Sequence, residues 1–202
     1  GSINADAVIV HLNPLQELMQ TEGDHDFRGI ENGIRHLIEN CSLPVMVKET
    51  GAGISEQVAS RLLIMGVSCI DVAGAGGTSW AKVENLREST EEPKHQFDDW
   101  GIPTAECLLR LQSLRSEFSF QLISSGGVRS AFDIAKSLAL GADFAASAQP
   151  VIKAIARGGE EELLKLLQNW SSDMRILLTL LGCKSVRELS MQHLRKVDVQ
   201  QV

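Results

Sequence analysis

The chain has 202 residues and a formal net charge of −7, and 44% of its residues are hydrophobic. That length predicts one domain, or a large piece of one, with a packed core, and the acidic balance argues against a nucleic-acid-binding surface, which needs a basic face. No apolar run approaches the ~18 residues of a membrane span, and the N-terminus shows no secretory signal, so we expect a cytoplasmic protein without membrane partners. The four cysteines lack close-pair spacing, which indicates free thiols rather than disulfides or a zinc site.

Short apolar runs alternate with longer amphipathic segments along the chain. The apolar runs are continuous, which is typical of strands buried on both faces. We place the strands at Ala7–Asn13, Pro44–Glu49, Cys69–Ala73, Phe120–Ser124 and Phe144–Ala148. We place the helices between them, at Arg28–Asn40, Ser55–Met65, Thr104–Glu117 and Ser130–Leu140. Repeated strand–helix units predict a parallel α/β sheet.

The helix ends carry recognisable signals. Ser55 can cap the first turn of its helix, and Gly66 and Gly141 follow helix ends, where glycine is favoured. From Gly159 onward the chain is leucine-rich at helical spacing, and "SVRE", which begins at Ser185, fits a capping box. These features predict two parts, a barrel part at 1–158 and a helical extension at 159–202.

Polar and glycine-rich segments follow the predicted strands, as in "HLNPLQE", "KETGAG", "AGAGGTSW", "SSGGVRS" and "SAQP". In a parallel α/β barrel the C-terminal ends of the strands share one face, and that face holds the active site. We therefore expect these loops to build a common pocket. A closed (β/α)8 TIM barrel typically needs ~250 residues. The sequence thus predicts the C-terminal part of such a barrel, with about five βα units and additional C-terminal helices.

Two glycine-rich segments indicate anion binding. Gly126 and Gly127 precede a helix whose first amides we expect to be unpaired, and the last loop, Ala148–Gln149, lies beside them in such a fold. This arrangement favours a phosphate site, although a tight turn alone would also explain two glycines. The second segment, "DVAGAGGTSW", lacks dinucleotide-fingerprint spacing, and we expect no helix directly after it. Thr78 could donate to a flavin or phosphate, or the loop could simply be flexible.

Several polar residues lie at predicted strand ends. Lys48 ends an apolar strand, so it should contact an anion or an electron-rich ring, unless it pairs with Glu49 or Asp71. Glu17, with its neighbours Asn13 and Gln16, offers only oxygen-type ligands, which suits Mg²⁺. The alternative is that Glu17 serves a helix N-terminus. A histidine such as His11 is more often a buried structural residue than a catalyst, and Trp80, Trp100 and Trp170 are more often core residues than ligand platforms.

The chain resembles the type 2, flavin-dependent isopentenyl-diphosphate isomerase family. The resemblance runs from about residue 5 to the C-terminal helices, on "HLNPLQE", "EGDHDF", "KETGAG", "GAGGTSW", "WGIPT" and "SSGGVRSAFDIAKSLALGAD". It implies interconversion of isopentenyl and dimethylallyl diphosphate by a homo-oligomer, a tetramer or octamer in the full-length family. It also implies reduced FMN and Mg²⁺ as cofactors, with NADPH as the reductant.

The resemblance also assigns residue roles. Gln16 would lie at the reacting alkene, His11 and Asn13 would bind the diphosphate side, and Glu17 would bind Mg²⁺. Glu84 would be a carboxylate of the pocket. The FMN contacts would be Lys48, Thr78, Gly126, Gly127, Ala148 and Gln149.

Two departures from the family pattern limit what the resemblance implies. His25 stands where the family pattern has arginine, so metal affinity is expected to differ. The family's basic substrate-binding pair and further FMN contacts lie in an N-terminal part that this sequence does not include, so we expect the isolated chain to be inactive. The alternatives are a non-catalytic half-barrel that binds phosphate or self-associates, and an FMN barrel enzyme of the hydroxy-acid oxidase type. The latter relies on a histidine/arginine pair, of which the segment "SSGGVRS" offers only Arg129.

Overall fold

The computed structural model describes residues 3–87 and 95–196. Its centre is one sheet of five parallel strands, in the spatial order β1-β2-β3-β4-β5. The strands are β1 Val8–His11, β2 Val45–Lys48, β3 Cys69–Asp71, β4 Gln121–Ser124 and β5 Phe144–Ala145. Each predicted strand is present, in a shorter form, and sequence order equals spatial order. The parallel α/β prediction is therefore confirmed.

Helices connect the strands and extend the chain beyond the last one. They are α1 Pro14–Met19, α2 Ile30–Asn40, α3 Glu56–Ile64, α4 Trp80–Arg87, α5 Thr104–Leu111, α6 Ala131–Ala139 and α7 Gln149–Leu181. Short 3-10 turns lie at His95–Phe97, Gln112–Ser116, Val186–Glu188 and Met191–His193. The four predicted helices between strands correspond to α2, α3, α5 and α6. Among the described helices, none combines the length and the hydropathy that crossing a bilayer requires.

Helices cover only one face of the sheet. Val47, Ile70 and Leu122 point from the strands to the helices and are fully buried, where they pack with residues such as Leu108 and Leu111. The opposite face is open, because Ile9 and Phe144 on the two edge strands are 56% and 52% exposed. The prediction that both faces are buried is therefore wrong at the two edge strands, whereas Cys69 on the central strand β3 is buried on this face, at 2% exposure.

The helix-end predictions had mixed outcomes. Ser55 Oγ accepts a hydrogen bond from the Val58 amide at 3.3 Å, which confirms that cap. Ser185 makes no capping hydrogen bond, and the capping box instead joins Ser190 and His193. The long helix α7 is interrupted by non-helical backbone at residues 158 and 159. The interruption lies where we drew the boundary at 158, although the division into two parts stays a prediction.

Candidate functional site

Three charged or titratable residues form a row at the C-terminal edge of the sheet. His11 pairs in register with Lys48, and Lys48 pairs with Asp71, so their side chains share the open face. Burial, followed by the nearby Lys48 ammonium, lowers the pKa of His11. Burial also raises the pKa of Asp71, although hydrogen bonds from the Ser125 hydroxyl and the Ala73 amide oppose that rise. The strand ends thus place a neutral imidazole, a cation and an acid side by side.

Lys48 is held by the backbone of the next residue. Its Nζ donates to the Glu49 carbonyl oxygen at 2.6 Å, and the ion pairs of the described residues do not include Lys48. The buried Glu49 carboxylate instead accepts from the amides of Thr50, Gly51 and Ala52, at 2.5, 2.6 and 2.6 Å. The alternative of a salt bridge from Lys48 to Glu49 or Asp71 is therefore wrong.

The first loop places its polar residues on and around α1. Asn13 Nδ2 donates to Glu17 Oε1 at 2.6 Å, and the Asp24 amide donates to Glu17 Oε2 at 3.1 Å. The Glu17 carboxylate therefore binds its own loop, and it lies in the first turn of α1, where an acidic side chain suits the helix N-terminus. Within the described residues, no group of three or more His, Cys, Asp and Glu side chains could hold a metal ion. A metal ion at Glu17 would need most of its ligands from water or from a bound phosphate.

Glu84 lies at the centre of a hydrogen-bond network between α1 and α4. Its side chain is fully buried at 1% exposure. Oε1 accepts from Gln16 Nε2 at 3.0 Å and from Gln20 Nε2 at 2.8 Å, while Oε2 accepts from Arg87 Nη1 at 2.9 Å. Burial alone would raise the pKa of Glu84, but these three partners outweigh it and hold the pKa below its usual value. Glu84 is thus a carboxylate at neutral pH.

The glycine-rich loops after β3 and β4 pack backbone against backbone. Thr104 Oγ1 donates to the Gly126 carbonyl oxygen at 2.7 Å, and the Gly74 amide donates to the Ser125 carbonyl oxygen at 3.0 Å. A Cβ on Gly126 would lie 2.1 Å from the Gly74 carbonyl oxygen, and one on Gly127 would lie 2.8 Å from the Gly76 carbonyl oxygen. These glycines are therefore required for loop packing, whatever else they bind.

The loop after β4 also contacts the loop after β5. Ser147 Oγ donates to the Val128 carbonyl oxygen at 2.6 Å, which brings the Gly126–Gly127 loop beside the N-terminus of α7. Ala148 and Gln149 are exposed there. At the start of α6, the Asp133 amide is already paired with Ser130 Oγ. The N-terminus of α7 has no side-chain cap hydrogen bond, so its positive end is available to an anion.

The loop after β3 leads into α4, which begins at Trp80, so a helix does follow this glycine segment closely. Thr78 is exposed, and its carbonyl oxygen lies so near Gly51 that a Cβ on Gly51 would meet it at 2.9 Å. Trp80 and Trp100 are 42% and 62% exposed, so the prediction that they are core residues is wrong.

Both tryptophans belong to a small pocket between the loops. It is also lined by Leu15, Gln16, Ser79, Ala81 and the 49–52 segment. A larger cleft of about 490 Å³ runs between β1 and α2, with His11 and Asn13 among its mainly apolar lining residues.

The site residues that sequence reasoning missed are Gln20, Arg87 and the exposed tryptophans. Gln20 meets Glu84 across 64 positions of the chain, so no local pattern marks it, whereas Arg87 lies only three residues after its partner Glu84.

The sequence profile of the FMN-dependent dehydrogenase family matches residues 11–196. The chain is 47% identical over 204 residues to the isopentenyl-diphosphate delta-isomerase of Chlorobium limicola, covering 95% of this chain and 56% of that protein. It is 40% identical over 200 residues to the protein of the same name from Pyrococcus furiosus, covering 98% and 49%. The chain therefore spans about half the length of the curated relatives it matches.

Solved structures with the same fold include an active chimera of (S)-mandelate dehydrogenase and mandelate oxidase. The chimera matches with a TM-score of 0.66 at 21% identity, over 89% of this chain and 44% of its own length. Mandelate oxidase matches with a TM-score of 0.58 at 24% identity, over 77% and 39%. These TIM-barrel flavoenzymes confirm the predicted fold class, and the isomerase relatives confirm the resemblance noted from the sequence. The chain belongs to the FMN-dependent dehydrogenase family.

Proposed function

We propose that this chain supplies about half of an isopentenyl-diphosphate delta-isomerase, which interconverts isopentenyl and dimethylallyl diphosphate with reduced FMN and Mg²⁺ and uses NADPH as the reductant. The observation that carries the proposal is Gln16, whose side-chain amide is held by the buried Glu84 carboxylate at 3.0 Å and which is one of the residues that line the small pocket. The similarity to curated isomerases supports the same reaction. A cytoplasmic homo-oligomer is part of the proposal.

The residues at the strand ends fit FMN. The exposed Ala148 and Gln149 at the N-terminus of α7, beside Gly126 and Gly127, would hold the phosphate, because a helix N-terminus favours an anion. Lys48, on the open face of the sheet, would contact the ring, and Thr78 would donate its exposed hydroxyl. When bound, reduced FMN supplies the electron-rich ring beside which the substrate carbons exchange protons.

The diphosphate end of the substrate would lie at β1 and α1. Glu17 would bind the Mg²⁺ that holds the diphosphate, since this ion commonly takes one carboxylate together with phosphate and water oxygens. The lowered pKa of His11 keeps its imidazole neutral at pH 7. His11, together with Asn13, would therefore recognise the diphosphate by hydrogen bonds rather than by charge.

The alkene end of the substrate would lie beside Gln16. Trp80 and Trp100 offer apolar, electron-rich surfaces beside Gln16, which suits a hydrocarbon that gains positive character in the transition state. Glu84 was predicted to be catalytic. Its low pKa and three donors make it a poor proton donor, so in this proposal it acts by holding Gln16.

The proposal is tested with the full-length enzyme that carries this chain, assayed with isopentenyl diphosphate, Mg²⁺ and photoreduced FMN. We expect dimethylallyl diphosphate to form without net consumption of reduced flavin, and Gln16→Leu to abolish turnover while flavin content is retained. The matched control is Gln168→Leu, at an exposed position on α7. Flavin-dependent oxidation of a 2-hydroxy acid, with no isomerisation, would replace the proposal with the oxidase alternative.

A further inference from the structure

Gln20 follows the last residue of α1 and lies one helical turn beyond Gln16, on the same side. Its backbone amide donates to the Glu17 carbonyl oxygen at 3.2 Å, and its own carbonyl oxygen accepts from the Gly23 amide at 3.3 Å. These two bonds fix the Gln20 backbone where the helix ends and the loop begins. The side chain then crosses to α4 and reaches Glu84 Oε1 at 2.8 Å.

We propose that Gln20 is a positioning residue that, through Glu84, fixes the orientation of the Gln16 amide so that its Oε1 faces the pocket. The inference rests on the proposed function for its activity readout. Gln20 itself does not line the pocket that Gln16 lines, so it acts through another residue and not on the substrate.

The orientation follows from the chemistry of an ionised carboxylate. A carboxylate only accepts hydrogen bonds, so both glutamines must turn their NH₂ groups toward Glu84 Oε1. The nitrogen of the Gln16 side-chain amide is then hydrogen-bonded to Glu84, and its oxygen is available to a ligand. Arg87 completes the arrangement by donating to the other carboxylate oxygen at 2.9 Å.

Loss of Gln20 would undo this orientation. Oε1 would lose one of two donors at a site with 1% exposure, where water is a poor substitute. Glu84 would then bind a proton more readily, and a protonated Glu84 can donate to the Gln16 oxygen. The Gln16 amide could then rotate, which would present a donor to the pocket in place of an acceptor.

The described charged groups near Glu84 also form hydrogen bonds or ion pairs with other residues. Arg87 also contacts Glu22 at 3.7 Å, and the Glu17 carboxylate on α1 faces Asn13 and the Asp24 amide. The adjacent 3-10 turn contributes Asp98, which pairs with His95 at 3.1 Å. Among the residues that the structure describes, the direct partners of Glu84 are thus two glutamine amides and one guanidinium, and Gln20 shares its acceptor oxygen with Gln16.

The test is Gln20→Met in the full-length enzyme, with Gln168→Met on α7 as the matched control. We expect KM and flavin content to stay near the wild-type values while kcat falls by roughly 10- to 100-fold, as for small displacements of a reacting group. The acid limb of the kcat profile should move to higher pH, and the control should match wild type. A Gln20→Met enzyme with wild-type kcat and pH profile would overturn the proposal.

A double-mutant cycle separates action through Glu84 from a general weakening of the fold. Glu84→Gln and Gln20→Met should together cost little more in kcat than Glu84→Gln alone, whereas additive losses would show that Gln20 acts independently of Glu84. If the wild-type enzyme does not isomerise isopentenyl diphosphate, the proposed function fails, but the positioning role is still tested. In that case ¹³C NMR titration of Glu84 should show a higher pKa in Gln20→Met, and an unchanged pKa would refute the role.

Discussion

The interlocked glycine loops make a quantitative prediction for Gly126→Ala. Gly126 has φ +93, and a Cβ there would lie 2.1 Å from the Gly74 carbonyl oxygen and 2.9 Å from Thr104 Oγ1. A non-glycine residue with left-handed backbone costs roughly 1–2 kcal/mol. The clash adds about 1–3 kcal/mol, because its nearest neighbour is backbone that cannot rotate away. We therefore expect the free energy of unfolding to fall by about 2–5 kcal/mol.

Gly29→Ala is the matched control for this prediction. Gly29 has φ +86, and a Cβ there would have nothing within 4 Å, so only the backbone cost of roughly 1–2 kcal/mol applies. The assay is urea unfolding of both variants in the full-length enzyme, at one fixed flavin concentration because bound flavin adds stability. Flavin content should fall for Gly126→Ala only. Equal destabilisation of the two variants would refute the claim that the glycines are required for loop packing.

Four further outcomes follow from the site and the open sheet. Ala148→Asp should lower flavin retention, because its charge would repel the phosphate, whereas the neutral Ala148→Asn should retain flavin. Aspartate and asparagine both cap helices well, so a lower melting temperature of the aspartate variant alone would attribute the flavin loss to misfolding. Glu17→Gln should raise the Mg²⁺ concentration needed for activity, since a neutral amide is a poorer ligand for a hard dication; an unchanged Mg²⁺ titration would remove Glu17 from the metal site. The depressed pKa of Glu84 stabilises the fold at pH values above 4.5, its usual pKa, and this stability is lost as the pH falls through the lower pKa of the folded state. Glu84→Gln should therefore flatten the acid limb of the curve of unfolding free energy against pH. An acid limb identical to that of the wild type would contradict the hydrogen-bond network around Glu84. The isolated 202-residue polypeptide should self-associate through its open sheet edges and its exposed Ile9 and Phe144 side chains, and should lack isomerase activity; a monomer by light scattering with robust turnover would contradict this.

Some of the site could be predicted because its signals are local. The alternation of apolar runs and amphipathic segments marks the strands and the helices between them, and Ser55 marks a cap, since both depend on neighbours within one or two turns. The shared edge of His11, Lys48 and Asp71 also followed from the sequence. Parallel strands joined by helices must place their C-terminal ends together, so residues at equivalent strand ends become neighbours.

Only the tertiary structure decided the contacts between segments that are far apart in sequence. Glu84 binds glutamines 68 and 64 positions away, and the neighbours of Gly126 are Gly74 in the loop after β3 and Thr104 at the start of α5. Helices α1 and α4 have 6 and 8 residues, too short for a reliable periodic pattern, and they form where packing against each other stabilises them. The exposure of Trp80 and Trp100 was also decided there, because a tryptophan reads the same in sequence whether it fills a core or lines a pocket.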